Sequence, residues 1–166
     1  MLPEVREAME PYLREEYGNA STSYEMGVRM HDVLEDARAK IARVIDAQPE
    51  EIFFTSGGSE SDNWVIKNVA GEKKHIGKHI ITTKIEHHAI LRSCQYLESL
   101  GYEVTYLDVD DYGLVRAEDV ANALRDDTTL VSVMTGNNEI GTIEPIAEIG
   151  AFLRTKGVAF HTDAVQ

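Results

Sequence analysis

The chain has 166 residues, with 16 basic and 29 acidic side chains and a formal net charge of −13. That length suits one ordinary domain with a real core, and a 43% hydrophobic share is that of a globular chain, not a disordered tail. The negative field disfavours nucleic acid and anionic membrane surfaces as partners, but it leaves room for a phosphate site made of uncharged backbone N–H groups.

In chain order, Pro3 to Leu13 reads as a helix opened by an early proline, and YGNASTSY (17–24) as a polar, turn-rich loop. Glu25 to Ile45 is the longest helical pattern, with Val28, His31, Leu34, Ile41, Val44 and Ile45 near one stripe. EIFFT (51–55) is expected to be a strand, breaking into SGGS and then a helix from Glu60 to Val69. Gly71 to Lys78 reads as a charged loop, and His75 and His79, in or beside it, as solvated. HIITT (79–83) is a strand, followed by a helix from Ala89 to Leu100 that Gly101 ends. EVTYL (103–107) is a strand, Glu118 to Leu124 a helix, and Thr129 to Met134 a strand running into TGNNEIGTIEP. A helix from Pro145 to Lys156 and a strand from Val158 to Thr162 complete the series.

Strands alternating with helices predict an α/β fold, a three-layer sandwich around a mainly parallel sheet. Residues 1–24 form an N-terminal helix and loop, and 25–166 the alternating elements. The lone Cys94 excludes an internal disulfide, so a reducing compartment, the cytoplasm, is the simplest expectation. The N-terminus lacks the apolar run of a secretory signal, and no stretch reaches the ~20 apolar residues of a membrane helix.

Ligands of such sheets sit at the carboxyl ends of the strands, where this sequence keeps its polar clusters. Ser56-Gly57-Gly58-Ser59-Glu60-Ser61 suits a phosphate held by free N–H groups at a helix start, or a plain turn with Ser59 as N-cap. It is neither a Walker motif nor a dinucleotide fingerprint. In Glu86-His87-His88, His87 is either a capping or core histidine, or an imidazole lying on an aromatic cofactor and carrying protons. Asn137-Asn138-Glu139 makes Asx turns or fixes a ligand oxygen. Asp163, followed by Gln166, suits a metal or a cationic nitrogen. Ligand spacing for a metal is missing, so no metal is expected, and a protonated pyridine nitrogen fits better. Phosphate loop, stacking imidazole, amide and ring-nitrogen acid together describe a site for pyridoxal phosphate (PLP).

At these residues the chain resembles a cysteine desulfurase of the NifS/IscS type, in the class V aminotransferase family with the PLP-dependent fold type I. The matching stretches are FFTSGGSESDN, ITTKIEHHAIL, YLDVDDYGLV, NNEIGTIEPI and FHTDAVQ, with YGNASTSYEMG a looser match. The resemblance spans essentially the whole chain and makes it an incomplete large domain of that fold. It implies that Gly58 and Ser59 hold the PLP phosphate and that His87 stacks on the ring and shuttles protons. Asn138 would meet the phenolic-oxygen side of the cofactor or the substrate, Asp163 the pyridine nitrogen and Gln166 the phenolic oxygen.

The implied reaction removes sulfur from L-cysteine as an enzyme persulfide, releases L-alanine, and passes sulfur to an acceptor or scaffold protein of iron–sulfur assembly or another sulfur-transfer route. The family's Schiff-base lysine, its sulfur-accepting cysteine and its carboxylate-binding arginine have no matching positions here; Cys94 reads as buried and structural. The expectation is therefore a fragment inactive alone, paired as a homodimer or with a chain carrying the C-terminal part, because an uncovered apolar edge and face invite pairing. Other outcomes are a non-catalytic PLP-binding or dimerising remnant, and a selenocysteine lyase or aminotransferase relative.

Overall fold

Four short apolar runs become strands: β1 (His79–Thr83), β2 (Glu103–Leu107), β3 (Thr128–Ser132) and β4 (Ala159–His161). In the computed structural model, which describes residues 1–166, they pair in the order β2-β1-β3-β4, every pair parallel. The first strand thus neighbours both the second and the third. Parallel strands need helical crossovers, and these cover both faces of the sheet. On one face Ile80 and Leu130 pack with Ile66 and Ala70 of α3 (Gly58–Glu72) and with Ile90, Cys94 and Leu97 of α4 (His88–Ser99). On the other, Ile81 and Val131 meet Val120 of α5 (Ala117–Ala123) and Ile149 and Leu153 of α6 (Ile146–Lys156). Each side chain alternates with the strand pleat, and each fully buried aliphatic contributes about 1.5–3 kcal/mol. Cys94 belongs to this core; burial pushes its thiol up to about 12, so it is no nucleophile.

The strands and helices of residues 55–166 lie where the sequence places them, to within a few residues at most ends. Three expectations are corrected. EIFFT is not a strand: residues Pro49–Glu51 form a 3₁₀ turn, Ile52 is extended, and the sheet has four strands, not five. The polar SGGS cluster therefore follows a coil segment. Ser59 is not the N-cap of α3; Gly57 is, and Ser59 lies inside the first turn. His79 is not solvated. It is fully buried at the start of β1, its Nδ1 2.8 Å from Thr128 Oγ1 on β3 and its Nε2 2.8 Å from Thr105 Oγ1 on β2. Burial holds its imidazole below the ordinary histidine range.

The entry to β1 has no spare room. A Cβ on Gly77 would stand 2.2 Å from the Asp127 carbonyl oxygen and 2.6 Å from its Cα. Backbone cannot yield as a side chain does, so Gly77→Ala is expected to destabilise residues 55–166 by about 1–3 kcal/mol. A lowered midpoint in urea, with unchanged slope, is the reading that checks it.

Residues Met1–Phe54 form one compact unit and Thr55–Gln166 another. The first contains α1 (Pro3–Arg14), α2 (Glu25–Val44) and the 3₁₀ turn. Arg38 of α2 donates to the Ile52 carbonyl and lies 5.0 Å from the Phe54 ring centroid. The expected apolar stripe on α2 is not a core in this unit. Val28, Leu34, Ile41 and Val44 are exposed, and only Gly27 and Ala42 of the helix are buried. The unit has no sheet of its own to cover that stripe. No helix of the chain is long and apolar enough to cross a membrane.

Candidate functional site

The polar segments after β1, β3 and β4 and the start of α3 meet around a cavity of about 250 Å³. Gly58 and Ser59 reach it from the first turn of α3, His87 from the cap of α4, Gly136 and Asn138 from the loop after β3, and Asp163, Val165 and Gln166 from the segment after β4. The six residues singled out in the sequence, Gly58, Ser59, His87, Asn138, Asp163 and Gln166, all line it. Asp62 and Met134 complete the wall.

Each member is positioned by local chemistry. The first intrahelical bonds of α3 run from Glu60 N and Ser61 N to the Gly57 carbonyl, so the N–H groups of Gly58 and Ser59 lie ahead of the helical ladder. A Cβ on Gly58 would stand 2.7 Å from Val165 Cγ2 and intrude on the cavity wall. Glu60, the acid of this turn, folds back onto Ser56 N and Oγ at 2.6 and 2.7 Å, and those hydrogen bonds hold its carboxyl below the usual range.

His87 caps α4: its Nδ1 accepts from Ala89 N at 3.1 Å. The neutral ring then carries its proton on Nε2, as the hydrogen bond assigns it. The two readings of this histidine are therefore compatible, since the capping ring also lines the cavity. The paired asparagines divide. Asn137 is buried and structural; its Oδ1 accepts from Glu139 N and Ile140 N, and its Nδ2 donates to the Ile85 carbonyl. Asn138 is exposed and faces the cavity. Asp163 is 8% exposed; its Oδ1 accepts from Val165 N at 3.0 Å, and its carbonyl accepts from Thr135 N at 2.8 Å.

Beneath these lies a buried acidic cluster that the sequence reading did not single out. Burial first, then the neighbouring Asp163, push the Asp62 carboxyl up to about 6, against the pull of His87. Burial pushes Glu86 up to about 7, although Met134 N and Thr83 Oγ1 donate to its Oε1 at 2.9 Å each; its Oε2 is buried without a partner. His161 of β4 holds Nδ1 2.9 Å from Ser132 Oγ and Nε2 3.7 Å from Asp62 Oδ1, a close electrostatic contact but not a hydrogen bond. Burial holds its imidazole down and Asp163 raises it. Two of these were findable. Asp62 is four residues after Gly58, on the same helix face, and His161 is two before Asp163, on the same side of an extended segment. Glu86 lies in a turn, where no period marks direction.

The lining suits PLP. Backbone donors and a hydroxyl can bind a dianionic phosphate, a flat imidazole offers a stacking surface, two amides can bond a phenolic oxygen, and a buried acid suits a cationic nitrogen. No lysine or arginine lines the cavity, and no group of acids, histidines and cysteine is arranged to hold a metal.

Comparison with known proteins places the chain in a family. The chain is 54% identical over 163 residues to cysteine desulfurase IscS of Methanosarcina thermophila, covering 98% of this chain and 40% of that protein. A solved NifS-like protein superposes with a TM-score of 0.94 at 40% identity, covering 100% of this chain and 46% of that one. A solved complex of SspA with cysteine superposes with a TM-score of 0.94 at 38% identity, over 100% and 48% of the two chains. The chain thus spans under half the length of these relatives. The aminotransferase class-V family profile matches residues 1–166 from end to end, and the chain belongs to that family.

Proposed function

We propose that this chain supplies the non-covalent PLP cradle of a cysteine desulfurase, which removes sulfur from L-cysteine and leaves L-alanine. The observation that carries the reading is the convergence of Gly58, Ser59, His87, Asn138, Asp163 and Gln166 on one cavity from four separate segments. Relatives named as cysteine desulfurases, and a similar fold solved with cysteine, support the substrate.

When bound, PLP supplies an electron-poor ring that stabilises negative charge on the substrate carbon beside the amino group. The chain's own residues do the rest of the holding. The N–H groups of Gly58 and Ser59 bind the phosphate at the positive end of α3. His87, its tautomer set by Ala89, stacks on the ring and presents an Nε2 proton. Asn138 and Gln166 bond the phenolic oxygen, and Asp163 keeps the ring nitrogen charged.

The covalent steps rest on a Schiff-base lysine and a sulfur-accepting cysteine outside these residues, since no lysine lines the cavity and Cys94 is buried and inert. Sulfur then passes to an acceptor or scaffold protein. The chain works in the cytoplasm, paired as a homodimer or with a chain carrying those residues.

PLP titrated into the 166-residue polypeptide, followed by Trp64 fluorescence and cofactor absorbance, is expected to show saturable binding. With added cysteine, sulfide should stay at the level of free PLP. A titration without saturation removes the cradle reading, and sulfide well above that level removes the division of labour.

A further inference from the structure

The cavity presents more acid than the cofactor reading uses. Asp62 lines it together with Asp163, and one ring nitrogen needs one carboxylate. The two acids are 3% and 8% exposed. The groups that face Asp62 come from every element around it: His161 of β4 at 3.7 Å, Asp163 just after β4, His87 at the cap of α4, and Glu86 in the turn before that cap. None is a permanent cation. His161 is anchored on its far side by Ser132 of β3, so its Nε2 is held toward Asp62. Buried carboxylates in one another's field, with no fixed positive charge beside them, retain a proton until a cation arrives.

We propose that Asp62 is a positioning residue at the ring-nitrogen end of the pocket, its charge coupled to Asp163 and steadied by His161, so that entry of a cationic ring expels a proton from the acidic cluster. The inference rests on the cradle reading and deepens it. The sign follows from linkage. A cation entering the site favours ionised Asp62, so protons leave on binding and affinity rises with pH through the titration of that carboxyl, then levels off. Burial and the neighbouring Asp163 raise the pKa of Asp62 to about 6, which places that rise near neutrality.

The test is PLP binding to the folded wild-type chain and to Asp62→Asn between about pH 5.5 and about pH 7.5, followed by fluorescence. Calorimetry in two buffers of different ionisation enthalpy counts the protons released. The phosphate of PLP itself titrates in this window, so the ratio between the two proteins is the readout. The affinities are expected to agree at the acid end and to separate by about threefold to tenfold at the alkaline end, wild type tighter, with fewer protons released by Asp62→Asn.

His161→Gln leaves both acids in place and removes the imidazole; its affinity profile should shift to higher pH. Circular dichroism confirms that each variant is folded, and if Asp62→Asn is not, the His161→Gln profile decides. An affinity ratio that does not change with pH, with equal proton counts, or a His161→Gln profile superimposable on wild type, overturns the coupling and leaves the cradle standing. Failure of the wild-type chain to bind PLP overturns the cradle and this inference with it.

Discussion

Replacing Asp163 by asparagine should weaken PLP binding about tenfold to a hundredfold while leaving the chain folded. The carboxylate is 8% exposed and lines the cavity together with Gly58 and Ser59. A hydrogen bond between a charged acid and a charged nitrogen, made away from water, is worth about 1.5–3 kcal/mol, and that range is the stated loss of affinity. Asparagine keeps an oxygen to accept from Val165 N, the contact that holds the segment after β4 in place. Asp163→Ala loses that contact as well, so it should bind at least as poorly and unfold at slightly lower denaturant. Equal affinity in wild type and Asp163→Asn would mean that the acid does not meet the ring nitrogen. A large loss in alanine but none in asparagine would make Asp163 a structural residue only.

The second large effect concerns Glu86 and the pH dependence of stability. Burial lifts its carboxyl from the ordinary 4.5 to about 7, with Asp163 and Asp62 adding to the lift and the Met134 and Thr83 donors opposing it. The folded chain therefore holds this proton more tightly than the unfolded chain. Stability from this group is present below about pH 4.5 and is lost as pH rises toward about 7. A shift of that size amounts to roughly 3 kcal/mol across the window.

Glu86→Gln cannot titrate. It keeps an oxygen for Met134 N and Thr83, and it places an amide where Oε2 now lies buried without a partner. That misplaced donor costs about 1 kcal/mol at every pH. The slope is thus the signature: relative to wild type, the variant should gain stability steadily from about pH 5 to about pH 8. His79, held low by burial and outside this cluster, contributes the opposite trend equally in both proteins, so it drops out of the difference. Urea melts at three pH values make the comparison. A difference that does not change with pH would mean that Glu86 ionises as an ordinary exposed glutamate does.

Much of this molecule is legible along the chain. HIITT and EVTYL become β1 and β2 with the bounds read from them, because a β-branched run closed by turn residues carries its own period and its own stops. Helices begin and end near their prolines and glycines: Pro145 caps α6, Gly157 closes it in the left-handed region, and Gly101 does the same after α4. Four of the six expected site residues, His87, Asn138, Asp163 and Gln166, reach one cavity because a parallel sheet gathers the ends of its strands on one side, a property of the alternating pattern itself, while Gly58 and Ser59 reach it from the start of α3.

What the sequence by itself determined is therefore the α/β pattern, the side of the sheet that carries the cavity, and the residues that line it. The tertiary structure decided the rest, because it turned on partners far away in the chain. EIFFT has the composition of a strand but joins no ladder of the sheet, and strand propensity is only realised where a neighbour offers its N–H and C=O groups. His79 follows a charged loop, yet Thr105 and Thr128, on two different strands, accept it into the interior. Asp62, Glu86 and His161 come from three elements and mean little singly. Only their burial together, with Asp163 in their shared field, turns three ordinary titratable side chains into one charge-coupled cluster.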